Sequence, residues 1–234
     1  VFITAEHPLY TVDGWKQLKH IREDDFIGVP RTYGNLGQYS YDENKLKITG
    51  YLLGDGGCTH NAVMFSNIDE IVLDDLRSAL PNEVELKFSD RCTYRISTGR
   101  SNVKNPVLDM VREFGINCLA KHKRIPEFVF SLSNEYVAIV LNALFACDAW
   151  IDIKGFGIAL ASQGMIDDIR HLLLRFGVVC RKRYKAVNLN NKIFDSWALS
   201  CTDLDSLIML SSEIGILGKQ EKLDNIIRHK MTTR

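Results

Sequence analysis

Two apolar helical segments that end in aspartate constrain this chain more than any other feature. Ile48 to Gly56 reads I-T-G-Y-L-L-G-D-G, and Leu141 to Ala149 reads L-N-A-L-F-A-C-D-A. In register, Gly50 matches Ala143, Gly54 matches Cys147 and Asp55 matches Asp148. Residues four apart lie one above the other on a helix. The small pairs therefore let two backbones approach closely, with Leu52, Leu53, Leu144 and Phe145 turned to flanking cores. Each aspartate would end its helix, where exposed carbonyls make the potential negative and a positive group is expected to compensate. Two carboxylates brought together can hold a divalent cation, which activates water and stabilises a displaced oxyanion. The chain has no Asp-Thr-Gly or Asp-Ser-Gly of the aspartic-protease kind, and Gly54-Asp-Gly-Gly57 follows a helix, unlike a dinucleotide fingerprint.

After each aspartate the pattern repeats. Thr59 to Asn67 and Val84 to Ser97 read as extended, with Asp69 to Leu80 helical between them. Ile151 to Ala161 reads as a hairpin around Lys154-Gly155. Ser162 to Phe176 reads as a helix with Ile166, Ile169, Leu172, Leu173 and Phe176 on one face, and Val178 to Ser200 as a hairpin turning at Asn188 to Asn191. The expected fold is α+β: a pseudo-twofold pair of αββαββα repeats whose two curved antiparallel sheets flank a central two-helix interface, plus a small all-β N-terminal segment. Boundaries are expected at residues 1–40 for that segment, 41–127 for the first repeat and 128–234 for the second. Ser133 would open the second central helix.

These segments resemble the repeated motif of the LAGLIDADG homing endonucleases, over about residues 44 to 230. The resemblance implies a monomeric, site-specific endonuclease that hydrolyses phosphodiester bonds in double-stranded DNA. It implies that Asp55 and Asp148 bind the catalytic metal at the dyad, with Gly54 and Cys147 as further metal contacts. The implied cofactor is Mg²⁺, for which Mn²⁺ or Ca²⁺ substitutes in binding. The alternative is a non-cleaving nucleic-acid binder of the same fold, either a decayed endonuclease or an intron RNA maturase. The second copy departs from the motif in carrying Ala149 where glycine is usual, followed by Trp150, which predicts an altered turn after Asp148.

Lys123, in Lys123-Arg-Ile-Pro126, resembles a K-x-I-P block of intein-borne members, whose lysine sits at the active site. Val111 to Ile116 leads to Lys123 much as Ser211 to Ile216 leads to Lys222, which makes Lys222 the expected symmetry mate and Lys219 the fallback. Arg181-Lys-Arg-Tyr-Lys185 is the densest basic segment; in a strand Arg181, Arg183 and Lys185 share a face opposite Lys182 and Tyr184. Lys87, Arg91 and Arg95 are its rough counterpart, and both segments are expected to contact DNA. A strand of about ten residues spans ~33 Å, close to one turn of a duplex, so two sheets would cover about two turns.

At the N-terminus, Thr4-Ala-Glu-His7, Asp13-Gly-Trp15 and Val29-Pro30-Arg31 resemble the T-x-x-H region of an intein splicing domain, which implies that Thr4 and His7 are a splicing-block remnant. The chain opens at Val1 and ends Met231-Thr-Thr-Arg234, so it is expected not to splice by itself, and remaining intein segments are implied partners. The six cysteines form no C-x-x-C pair, and His60, His122 and His171 lack metal-ligand spacing. No apolar run approaches 18 residues, so no membrane partner and an intracellular, cytoplasmic location are expected. Net charge is zero, which places the burden of phosphate binding on local basic patches.

Overall fold

The computed structural model describes residues 3–29, 37–58, 61–100, 102–189 and 192–233. Strands β1 (Pro8–Thr11) and β2 (Gly14–Gln17) form an N-terminal hairpin. The first half runs through α1 (Glu43–Gly54), β3 (Gly56–Gly57), β4 (Val63–Ser66), α2 (Glu70–Ala79), β5 (Glu85–Asp90), β6 (Thr93–Ser97) and α3 (Pro106–Glu113). The second half repeats this order through α4 (Asn134–Asp148), β7 (Ala149–Asp152), β8 (Gly155–Leu160), α5 (Gln163–Arg175), β9 (Arg181–Leu189), β10 (Lys192–Cys201) and α6 (Leu204–Met209), followed by α7 (Gln220–Thr232).

The two four-stranded sheets have the orders β3-β4-β6-β5 and β7-β8-β10-β9, all antiparallel. Gly56 pairs with Phe65 and Ala149 with Ile158, so both members shift by the same 93 residues that separate Asp55 from Asp148 (148 − 55). The α+β duplication expected from the sequence is thus register-true from the central helix through the first hairpin.

The helices α1 and α4 meet at their small residues. A Cβ added to Gly50 would strike the Val140 carbonyl oxygen and lie 2.7 Å from Ala143 Cβ; one added to Gly54 would lie 2.7 Å from Cys147 Cβ. Leu52, Leu53, Leu144 and Phe145 are buried in the flanking cores, as is the predicted α5 stripe of Ile166, Ile169, Leu172, Leu173 and Phe176. Asp42, Asp69 and Ser162 cap α1, α2 and α5 through side-chain acceptors. Ser133 does open α4, but its side chain makes no cap bond.

Several local expectations change. Arg91 has a left-handed backbone (φ 51°) in the β5–β6 turn, beyond a bulge between Phe88 and Asp90, so it stands off the alternation that Lys87 and Arg95 share. The altered turn after Asp148 is real: α4 continues through Asp148 and enters β7 at Ala149 (φ −80°, ψ 149°), whereas Asp55 caps α1 at φ −89°, ψ 9°. The hairpins are also unequal, with β9 and β10 of 9 and 10 residues against 6 and 5 for β5 and β6. Thr59, His60, Pro30, Arg31, Asn190 and Asn191 lie outside the described residues. Thr4 and His7 are exposed and joined by a backbone turn, His7 N donating to Thr4 O at 3.1 Å. Among the described residues no helix is long and apolar enough to cross a membrane.

Candidate active site at the paired helix ends

Close helix contact brings the two aspartates together. Asp148 Oδ2 lies 3.1 Å from where a Cβ on Gly54 would stand, so the carboxylate of one helix rests over the glycine of the other. The Asp55 carboxylate accepts a hydrogen bond from Asn67 Nδ2 at 2.6 Å. Asp148 accepts none among the described residues, and at the position equivalent to Asn67 the second half has Leu160 (67 + 93). The amide at Asn67 was not foreseen, since one Asn after a strand carries no pattern of its own.

The expected compensating cations are present, one beneath each helix end. Lys123 Nζ donates to the carbonyls of Leu52 (2.7 Å), Leu53 (3.0 Å), Gly54 (3.4 Å) and Gly56 (2.8 Å). Lys219 Nζ donates to those of Phe145 (3.2 Å), Ala146 (2.6 Å), Cys147 (3.4 Å) and Ala149 (2.7 Å). The acceptors correspond one to one, so Lys219 and not Lys222 is the mate of Lys123. Lys222 is exposed on α7; the match through Ser211 to Ile216 misled because seven residues, with a 3-10 turn at Ala120–His122, lead from Ile116 to Lys123, whereas only three lead from Ile216 to Lys219. Lys123 is 4% exposed and committed to backbone carbonyls, so its ammonium neutralises the helix end instead of projecting into solvent.

The Lys123 loop is clamped from the opposite half. Ser162 Oγ donates to Lys123 O at 2.7 Å. Buried Asp168 takes a two-pronged bond from Arg124, both at 2.6 Å, and another from Ile125 N at 3.1 Å.

Charges crowd this centre. Burial raises the Asp148 carboxyl to about 6, the negative charge of Asp55 adds to the shift, and Lys123 and Lys219 oppose it. Burial also raises Asp55, against its hydrogen bonds from Asn67 and Cys147 and the two lysines. Both lysines are lowered by burial, with the nearby acidic groups opposing. Burial and Asp55 push the Cys147 thiol well up, so Cys147 offers a carbonyl rather than a thiolate.

This donor set fits a hard divalent cation. Two carboxylates beside helix-end carbonyls, one of them without a hydrogen-bond donor among the described residues, suit Mg²⁺ or Ca²⁺, and the Gly54 and Cys147 carbonyls, each in a 3.4 Å bond to its lysine, are adjacent oxygens. Among the described residues no group of three or more His, Cys, Asp or Glu could form an all-protein metal cage.

The sheets flank this centre with open faces. Arg181 pairs with Ser200, Arg183 with Ala198 and Lys185 with Ser196, so the three basic side chains share one face over small residues. Lys182 and Tyr184 take the other face, where Lys182 meets Asp167 at 2.6 Å and Trp197 at 4.8 Å. In the first sheet Lys87 pairs with Arg95 on the corresponding face. Arg95 also borders a cleft of about 470 Å³ lined by Arg100, Lys104 and Arg112, cations that no alternation pattern flagged.

Residues 135–215 match the family described as LAGLIDADG-like domain, and they include α4, Asp148 and the second sheet. That segment is a LAGLIDADG-like domain. The fold of the chain is similar to that of the homing endonuclease I-DmoI, with a TM-score of 0.51 and 12% identity over 79% of this chain and 98% of that one. I-DmoI in complex with DNA and Mn gives the same TM-score at 11% identity, over 74% of this chain and 97% of that one. In sequence, the chain is 24% identical to the replicative DNA helicase DnaB of Rhodothermus marinus over 94% of its own length and 25% of the helicase. It is 28% identical to the replication factor C small subunit of Methanocaldococcus jannaschii, over 82% of this chain and 11% of that protein. The glutamine–fructose-6-phosphate aminotransferase of the same organism is 29% identical, over 78% and 17%. The chain thus spans about a quarter or less of the length of these curated relatives.

Two outcomes follow for the purified protein. Lys219→Met should lower unfolding free energy by about 2 kcal/mol, as for loss of a charge that satisfies partly buried carbonyls, while Lys222→Met should stay within about 0.5 kcal/mol. Denaturant titration decides, and equal effects would undo the assignment of Lys219 as the mate. For Asp148, the folded-state value lies above the usual 3.8, so between about 4 and 6 the folded chain holds a proton that the unfolded chain has released. Stability of the metal-free protein therefore falls as pH rises through that window. Asp148→Asn should stabilise metal-free protein at pH 8 by on the order of 3 kcal/mol and lose the advantage below about pH 4; matching melting curves at pH 8 would refute it.

Proposed function

We propose that this chain is a divalent-metal-dependent, site-specific double-stranded DNA endonuclease. The observation that carries the proposal is the pair Asp55 and Asp148, raised by burial at the junction of two pseudo-symmetric halves and flanked on both sides by basic open sheet faces. I-DmoI, whose fold is similar, has been solved with DNA and Mn and with DNA and Ca.

The division of labour follows from chemistry. Arg181, Arg183, Lys185, Lys87 and Arg95 hold backbone phosphates, which fixes the duplex across the dyad. Arg91, in its turn, reaches the same groove from the edge. Asp55 and Asp148 hold the cation, with the Gly54 and Cys147 carbonyls beside them. When bound, Mg²⁺ supplies Lewis acidity for water activation and for the departing oxyanion. Lys123 and Lys219 keep the two helix ends rigid and offset their negative potential, so that the carboxylates stay in place when charged. One half serves each strand, and a single chain suffices.

The matched relatives support a reading of where such a chain resides. A helicase, a replication factor and an aminotransferase share no activity in their names, yet each matches this chain over a small fraction of its length. That is the distribution of a mobile insert, and with Thr4 and His7 in a T-x-x-H turn it supports an intein-borne endonuclease at residues 41–127 and 128–234 behind a splicing remnant at 1–40.

Incubation with Mg²⁺ and a randomised duplex library, followed by sequencing of the ends, tests the proposal directly. Asp55→Asn or Asp148→Asn should abolish cleavage and leave binding largely intact. Parental cutting rates in both variants would reject the carboxylate assignment, and binding without cutting by the parent would make the chain a non-cleaving member of the fold. Replacing Arg181, Arg183 and Lys185 together by Ala should weaken binding and flatten log affinity against log salt by up to ~0.9 for each phosphate no longer neutralised. An unchanged slope would remove this face from the interface.

A further inference from the structure

Trp150 follows Asp148 by two residues and takes no part in the carboxylate pair or the lysine caps. It is nonetheless fixed in place. Lys219 holds the preceding carbonyl, Ala149 O, at 2.7 Å. The indole lies across Gly157, the cross-strand partner of Trp150, so closely that a Cβ there would be 2.5 Å from Cε2 and 3.0 Å from Cη2 of the ring. Gly157 is thus a seat for the ring, and any larger residue would lift it.

The ring is not buried by this packing. Trp150 is 42% exposed, although tryptophan is among the side chains folding most often covers. Cross-strand partners share a face, and the row Trp150, Gly157, Ser200, Arg181 runs from the edge beside Asp148 to the basic strand. An exposed aromatic surface therefore stands on the same open face as Arg181, Arg183 and Lys185. The matching row in the first half is Gly57, Met64, Arg95, Lys87, with a glycine where the indole stands and a methionine in place of its seat.

We propose that Trp150 is a specificity-determining residue that contacts bases of duplex DNA at the centre of the site, wedging against one base step and partly unstacking it. The inference rests on the DNA-cleavage reading and goes beyond it. A polyanion is the occupant that charge complementarity selects for this face, and an apolar wedge on such a face works by unstacking a step that yields easily, as pyrimidine–purine steps do. Since the first half offers Gly57, the contact is one-sided. Sequence preference at the centre of the target follows from this single ring and is unequal on the two sides of the dyad.

The test uses a duplex of about 30 base pairs, recovered by capture in Ca²⁺ from a randomised library, with 2-aminopurine placed in turn at each central position. On binding to the full chain, emission should rise several-fold at a position on one side of the centre only. W150F should keep the rise; W150A and W150L should lose it, and the leucine variant still covers Gly157. Binding in gel shift should weaken by roughly 10-fold on loss of the ring, in line with one base–aromatic contact. A rise that persists in W150A and W150L, a rise equal on both sides, or bound duplex with no emission change in the parent protein overturns the role of Trp150 and leaves the endonuclease reading standing. Failure of any duplex to bind removes both.

Discussion

Contact between two helix backbones at Gly50 and Gly54 sets the geometry of the centre of this protein. With no side chain to hold them apart, α1 and α4 approach until Gly54 meets Cys147 and Asp148, and the aspartates are left facing one another at the ends of the duplicated segments. Wider spacing would separate the carboxylates and relax the electrostatic load at the same time. Tight spacing instead forces two half-buried acids and two carbonyl-bearing helix ends into one region, all of one sign.

Two lysines make that arrangement tenable. Each delivers a single charge to four carbonyls of its own half, and each is steadied from the other half: Ser162 on α5 holds the carbonyl of Lys123, while Asp69, the cap of α2, lies against Gly218 and draws on Lys219. The first contact is a hydrogen bond and the second a charge placed close by. The loop of each lysine is thus held from across the dyad, while the register of β3–β4 matches that of β7–β8.

What sequence made legible was whatever repeats or alternates. The small-small-acidic spacing located the helix contact and both carboxylates, and period-two and helical patterns placed most strands and α5. The need for a cation at each helix end was readable from electrostatics before any lysine was named. Identifying the second one was harder, because Lys219 and Lys222 differ by less than one helical turn and the first half carries a 3-10 turn, Ala120–His122, before its lysine that shortens to a three-residue step in the second. Asn67 and the Asp168 clamp were invisible for another reason: their partners, Asp55 and Arg124, are distant in sequence, and no local pattern connects them. Arg91 was misplaced by one bulge, since alternation fails wherever the ladder slips.

The unequal hairpins give this doubled molecule a direction. At ~3.3 Å per residue, the longer β9–β10 arm extends roughly 10 to 15 Å beyond the reach of β5–β6. Laid along a rod with a repeating surface, two equal arms would fit in either orientation, and the molecule would have no means of telling its left from its right. With one arm longer, reversal along the rod is no longer a neutral operation: the extended arm either finds its partner surface or overhangs. A fused pair of repeats can acquire such a heading where an assembly of identical subunits cannot, because each copy is free to diverge at the periphery while remaining bound to its twin at the core.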